Sequence, residues 1–157
     1  PAALIPAMQT RLADYPGVLA EGGANWWDAF QLIPVSNGFW YATYRLEVFP
    51  VRHHLPNSAF GLRLPGSMVW TGDTRPIPEQ LESYVGNGEL IAHDCGLHGN
   101  PSHTGLADLQ REYSAALQQQ LCLYHYATIE DADKMREQGF TVAAQMQNFE
   151  LAEPIQS

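Results

Sequence analysis

Three ionisable residues follow strand-like segments of this sequence, each at the point where the segment ends. Asp73 comes after an apolar run that closes in Thr-Gly, Asp94 ends a second run, and His125 follows a third. In open α/β sheets, residues beyond the carboxyl ends of strands converge on one edge, where ligands bind. The spacing therefore predicts one shared site. Taken singly, each residue also has a structural explanation, as a turn residue or a hydrogen-bonded core histidine.

The histidines are concentrated in the middle of the chain. All six lie between positions 53 and 125. His53 and His54 are adjacent, and because side chains alternate along a strand, only one of them is expected to face a site. His98 lies between glycines and is predicted to be an exposed loop residue.

The elements that must position these groups form two patterns. Short β segments after residue 39 predict an antiparallel meander, and helices then alternate with strands. The predicted strands cover 30–34, 45–51, 58–64, 67–71, 89–94, 121–126 and 140–145, and the predicted helices cover 2–14, 78–84, 106–120 and 129–138.

A meander followed by βαβαβ units predicts a layered α/β (α+β) fold with a mixed sheet and helices over one face. We predict a single domain over 1–157. Within it, 1–43 forms a helix and an aromatic lead-in, 44–145 the main sheet, and 146–157 a tail.

Composition narrows the class of protein. Eight Lys and Arg residues against 17 Asp and Glu residues give a net charge of −9, and there is no basic run. This charge argues against binding to duplex nucleic acid or to a membrane surface. A phosphodiester substrate stays possible, because a metal ion can supply local positive charge. No apolar run or leader pattern suits a membrane, so we expect a cytoplasmic protein. Cys95 and Cys122 fall in apolar stretches and are predicted to be reduced and buried.

The polar motifs also occur in a recognisable order. They are Val51-Arg52-His53-His54 with Phe60-Gly61, Thr71-Gly72-Asp73-Thr74-Arg75-Pro76, Ala92-His93-Asp94-Cys95, Ser102-His103-Thr104 and Leu123-Tyr124-His125-Tyr126. This order resembles the carboxyl-terminal half of the metallo-β-lactamase superfamily, in its ribonuclease Z and phosphodiesterase-like branch. The resemblance covers residues 44–145 and implies one half of an αββα sandwich.

The resemblance also implies a metal site containing Zn or Mn, a phosphoester substrate, and roles for six residues. Asp73 and His125 correspond to metal ligands, Asp94 and His103 to proton-transfer residues, and His54 and His93 to structural residues or residues that support the ligands.

The other half of that family carries a His-x-His-x-Asp-His motif, and no histidine precedes His53 here. A dinuclear site needs more ligands than one Asp and one His. The first hypothesis is therefore a partial hydrolase that is inactive alone and binds metal weakly or not at all, which leaves enzyme status open. The alternative is a non-catalytic binding or assembly module, and a third reading is a plain α/β domain.

Both leading hypotheses predict a partner. We expect either a homo-oligomer or a missing amino-terminal half, because half of a sandwich leaves an apolar sheet face without a cover. The aromatic segment 26–49 is expected to contribute to the contact.

Overall fold

The computed structural model describes residues 1–12, 30–86 and 88–155, which belong to two compact units, 1–37 and 38–157. In the first unit, a 3-10 helix (Ala2–Leu4) leads into α1 (Ile5–Leu12). This confirms the described part of the predicted helix over 2–14. The predicted strand over 30–34 is wrong, because its residues have no neighbouring strand within the described part of their unit to complete a hydrogen-bonded ladder.

The second unit is built on one seven-stranded sheet. Its spatial order is the chain order, with antiparallel pairing from β1 to β4 and parallel pairing from β4 to β7. The α/β class with a mixed sheet is therefore confirmed. The strands are β1 (Gly38–Tyr41), β2 (Tyr44–Pro50), β3 (Phe60–Leu64), β4 (Met68–Trp70), β5 (Leu90–Asp94), β6 (Leu121–Tyr124) and β7 (Thr141–Val142).

Four helices accompany the parallel half of the sheet in the described residues. They are α2 (Pro78–Tyr84), α3 (Leu106–Glu112), α4 (Ala115–Gln118) and α5 (Ile129–Glu137). α2 begins with a proline, which fits the first helical turn because no backbone donor is needed there. The Thr128 hydroxyl caps α5 by accepting a hydrogen bond from the Asp131 amide at 3.1 Å. None of the described helices is long and apolar enough to cross a membrane.

The predicted single helix over 106–120 is wrong. It breaks at Tyr113, whose backbone is extended, and Ser114 caps the next helix by accepting a hydrogen bond from the Leu117 amide. The physical reason is that the Tyr113 side chain is buried, and its hydroxyl bonds the Ile77 amide and the His93 ring. The free energy gained by burying the Tyr113 side chain outweighs that of continuing the helix. The same burial raises the pKa of the Tyr113 hydroxyl.

The core lies between the sheet and these helices. Cys95 and Cys122 are free and buried, as predicted, and burial raises the pKa of the Cys95 thiol to about 12. The largest fully buried apolar side chains are Ile77, Leu81, Ile91, Leu109, Leu121, Leu123, Met135 and Val69. Burial of this kind provides most of the stabilisation of such a domain, and it fixes the strand ends that carry the polar residues.

The aromatic segment over 26–49 divides in the structure. Phe49 is buried in the core, whereas Trp40 and Tyr41 at the edge strand β1 are exposed. Trp26 and Trp27 lie outside the described residues, as do residues 13–14 of the predicted first helix. Oligomerisation through this segment stays a prediction, as do the domain boundaries.

Candidate metal centre

Three neighbouring parallel strands deliver polar groups to one edge of the sheet. Asp73 follows β4, Asp94 ends β5, and His125 follows β6, while His103 reaches the same place from the loop before α3. One potential ligand atom of each residue lies within 4.8 Å of those of the other three. The resemblance implied two ligands, Asp73 and His125, and the structure places Asp94 and His103 beside them, so four side chains converge where three or four suffice to hold a metal ion.

Asp94 is the centre of this cluster and is fully buried. Its Oδ2 accepts hydrogen bonds from the Thr74 amide at 2.9 Å and from His103 Nδ1 at 2.8 Å. Its Oδ1 is buried without any hydrogen-bond partner. An unpartnered buried carboxylate oxygen is costly and rare in folded proteins. A cation bound to Oδ1 would satisfy it.

His125 lies beside that oxygen in an unusual backbone conformation. Its Nδ1 is 3.3 Å from Asp94 Oδ1, close enough for an ion pair, but the angles do not satisfy a hydrogen bond. Its φ of 72° is in the left-handed region, which costs energy for any residue with a Cβ. The imidazole stacks on that of His103, with ring centroids 4.7 Å apart. The strained backbone thus holds the ring at the cluster.

His93 supports the cluster from within the core. Its Nδ1 donates to the Asp94 carbonyl oxygen at 2.7 Å, and because a carbonyl only accepts, Nδ1 carries the proton. Nε2 then accepts from the Tyr113 hydroxyl at 2.7 Å. Desolvation lowers the pKa of His93 to about 4, so the ring is neutral at neutral pH. Every polar atom of the ring has a partner, which leaves no ring atom to bind a ligand.

The loop that carries His103 is held by its own side chains. Asn100 Oδ1 accepts hydrogen bonds from the amides of Ser102 at 2.8 Å and His103 at 3.0 Å. The Thr104 hydroxyl donates to the Thr74 carbonyl oxygen at 2.7 Å, which ties this loop to the loop that carries Asp73. His98 in the preceding segment is exposed, as predicted.

His53 and His54 do not alternate across a strand, so that prediction is wrong. β2 ends at Pro50, and both histidines lie in the turn that follows, where His54 has a φ of 56°. Their ring centroids are 3.9 Å apart. Ser102 holds both rings, since its carbonyl oxygen accepts from His53 Nδ1 at 3.0 Å and its hydroxyl bonds His54 Nδ1 at 3.1 Å.

His53 lies beside the cluster, although the sequence did not distinguish it from His54. Its Nε2 is 4.0 Å from Asp73 Oδ2, and its ring centroid is 4.9 Å from that of His103. His53 is nevertheless outside the set of four residues whose ligand atoms lie mutually within 4.8 Å. The adjacent pair of histidines was the available signal, and assigning them to a strand concealed it.

Two clefts flank the cluster. The one on the side of His125 has a volume of about 250 Å³ and is lined by Gly96, Leu97, His98, Asn100, His103, His125, Ala127 and Asp131. The one on the side of His53 has a volume of about 540 Å³. Its lining is formed by Pro50, Val51, Arg52, His53, His54, Leu55, Pro56, Asn57, Arg75, Pro76, Gln80, Pro101 and Glu112. Two of the four cluster residues, His103 and His125, line the smaller cleft, whereas the larger cleft lies beside the cluster through His53.

Comparison with known proteins decides the family. The family model of the Anti-Pycsar protein Apyc1 matches residues 9–149. This chain belongs to the Apyc1 family. A comparison with curated proteins finds no match.

The metallo-β-lactamase assignment is corrected by this match, because the family that covers nearly the whole chain is Apyc1. The match begins at residue 9, far ahead of the motifs at 44–145 that suggested the other family. Those motifs are short and reflect where polar groups follow parallel strands, which is too little to distinguish families. The hypothesis of a ribonuclease Z-like fragment that is inactive without its other half is therefore wrong as well. The alternative of a binding or assembly module has no more support than that hypothesis.

For this Apyc1-family chain, the structure brings together the two predicted metal ligands, Asp73 and His125, and the two predicted proton-transfer residues, Asp94 and His103. The division of these four into ligands and proton-transfer groups stays a prediction. His54 and His93 lie outside the four, against Ser102 and Tyr113 respectively.

Proposed function

We propose that this member of the Apyc1 family binds a divalent metal ion, Zn²⁺ or Mn²⁺, at Asp73, Asp94, His103 and His125 and hydrolyses a cyclic nucleotide. The observation that most supports metal binding is the buried, unpartnered Oδ1 of Asp94 at the centre of the cluster. The match to the family of an Anti-Pycsar protein supports degradation of a cyclic nucleotide.

The four side chains suit such an ion chemically. Two carboxylates balance a charge of +2, and two imidazoles supply the nitrogen ligands that borderline cations such as Zn²⁺ prefer. The site is partly open, since His125 is half exposed while Asp94 is buried. Catalytic metal sites share this arrangement, because substrate or water needs an open position.

The residues of the chain have separate tasks in this mechanism. An ion held by Asp73, Asp94, His103 and His125 would supply activated water and would neutralise charge on the phosphodiester. The Thr74 amide and His103 Nδ1 orient the Asp94 carboxylate. With Nδ1 donating to that carboxylate, His103 would bind the ion through Nε2, which has no hydrogen-bond partner among the described residues.

Hydrolysis of 3′,5′-cyclic nucleotides tests this proposal. The purified full chain with Mn²⁺ is expected to convert a cyclic nucleotide to its linear monophosphate, because the ion supplies both charge and activated water. Chromatography of the products measures this reaction. A chelator should reduce the rate to that of the buffer, and added Mn²⁺ should restore it. Absence of turnover with Mn²⁺ and with Zn²⁺, over a panel of purine and pyrimidine cyclic nucleotides, would contradict the proposal.

A further inference from the structure

The cleft of about 540 Å³ beside His53 has no role in the metal chemistry described above. We infer that it is a nucleobase subsite, in which the base of the cyclic nucleotide stacks against the imidazole of His54. This inference rests on the proposed function, since it places the phosphodiester at the metal cluster.

His53 connects the two places. It lines the cleft, and its Nε2 is 4.0 Å from Asp73 Oδ2 in the cluster. A molecule whose phosphate lies at Asp73 therefore extends past His53 into the cleft. The volume falls within the range of pockets that hold small ligands, and it leaves room for a sugar and a base.

The lining suits the flat face of a base. Aromatic side chains such as His are common stacking partners for unpaired bases. His54 is exposed and lines the cleft, and the rings of Pro56, Pro76 and Pro101 add further apolar surface. The imidazole of His54 is held in place by two contacts. Its Nδ1 is hydrogen-bonded to the Ser102 hydroxyl, and its ring contacts the ring of His53.

The conformation of His54 indicates that its position matters. Its φ of 56° is in the left-handed region, where a residue with a Cβ is strained. Such strain persists when surrounding contacts hold it, and it is concentrated at ligand-binding sites. Here the hydrogen bond to Ser102 and the contact with His53 hold an exposed ring at the mouth of the site.

The charge of the cleft favours an anion. Arg52 is paired with Glu79, and Arg111 is shared between Glu112 and Asp108. Arg75 donates Nη1 to the Asn100 carbonyl oxygen, which carries no net charge, and it forms no ion pair among the described residues. Two arginines, Arg52 and Arg75, and one glutamate, Glu112, thus line the cleft in a protein whose net charge is −9, and the guanidinium groups can attract a nucleotide.

Replacement of His54 tests the inference. Asn tolerates the left-handed backbone but has no ring, so H54N removes stacking without adding strain. We expect it to weaken binding of 3′,5′-cyclic AMP and 3′,5′-cyclic CMP about tenfold, because base stacking on an aromatic side chain is worth roughly this much or more. H54F keeps a flat ring but loses the bond to Ser102, and it should weaken binding less than H54N does. Calorimetric titration of the chelator-treated full chain measures both constants without turnover.

The control is F149N, which replaces another exposed aromatic ring by Asn, outside both clefts, and should leave binding unchanged. Thermal melting checks that all variants are folded. Equal affinity of H54N and the unaltered chain, or equal weakening by H54N and H54F, would overturn the subsite, as would absence of binding to the unaltered chain. Weaker binding by H54N alone, in a chain that shows no hydrolysis with metal, would support the subsite and overturn only the proposed function.

Discussion

Asp94→Asn is expected to lower the affinity of the chain for Mn²⁺ or Zn²⁺ by at least about 100-fold, because changes that merely reorient a ligand already cost 10–100-fold. The substitution keeps the shape of the side chain and removes its charge. It also exchanges one carboxylate oxygen for an amide nitrogen, which cannot bind a cation. Hydrolysis of cyclic nucleotides should disappear with the metal. Titration calorimetry of the metal and an activity assay measure the two effects.

Asp133→Asn is the matched control for that substitution. Asp133 is an exposed residue of α5 that pairs with Arg136 at 2.7 Å. The same loss of charge there should leave metal affinity unchanged, because Asp133 does not belong to the cluster. Equal metal affinity of the Asp94 and Asp133 variants would contradict a site centred on Asp94.

Glu89→Ala is expected to cost about 3 kcal/mol of the free energy of unfolding, the lower end of the range for breaking a buried ion pair. Glu89 is 3% exposed, and it accepts hydrogen bonds from Arg63 Nε at 2.9 Å, Arg63 Nη2 at 2.7 Å and the Gly66 amide at 2.7 Å. Its loss leaves those donors without their partner. Glu47, 3.1 Å from Arg63 Nη1, still compensates part of the charge, which is why the lower end applies.

Glu79→Ala is the control for this second prediction. Glu79 also pairs with an arginine, Arg52, at 2.7 Å, but both side chains are more than half exposed. Solvent screens such a pair, so the cost should be below about 1 kcal/mol. Urea unfolding of both variants measures the difference, and similar losses would show that burial of Glu89 contributes nothing.

The parts of the site that follow strands could be predicted from sequence. Apolar runs bounded by turns located β4, β5 and β6, and their parallel order brings Asp73, Asp94 and the residue after β6 to one edge. This works because hydrophobic periodicity is a local signal. The convergence of strand ends then follows from general rules of α/β sheets rather than from any one contact.

The parts that depend on long-range contacts could not be predicted. The break in the helix at Tyr113 depends on a hydrogen bond to His93, twenty positions earlier in the chain. The contact between the rings of His53 and His54 depends on Ser102, which lies about fifty positions later. Propensity and spacing carry no information about such partners. The unpartnered Oδ1 of Asp94 is likewise visible only once its surroundings are packed.

The location of the ion tests the central claim most directly. A crystal of the full chain grown with Mn²⁺ and measured near the manganese absorption edge shows bound manganese by its anomalous scattering. We predict a peak among Asp73, Asp94, His103 and His125, at about 2.0–2.2 Å from Asp94 Oδ1, as metal–carboxylate distances require. A well-ordered crystal with Asp94 Oδ1 free of any peak, or with manganese bound only elsewhere, would contradict the account.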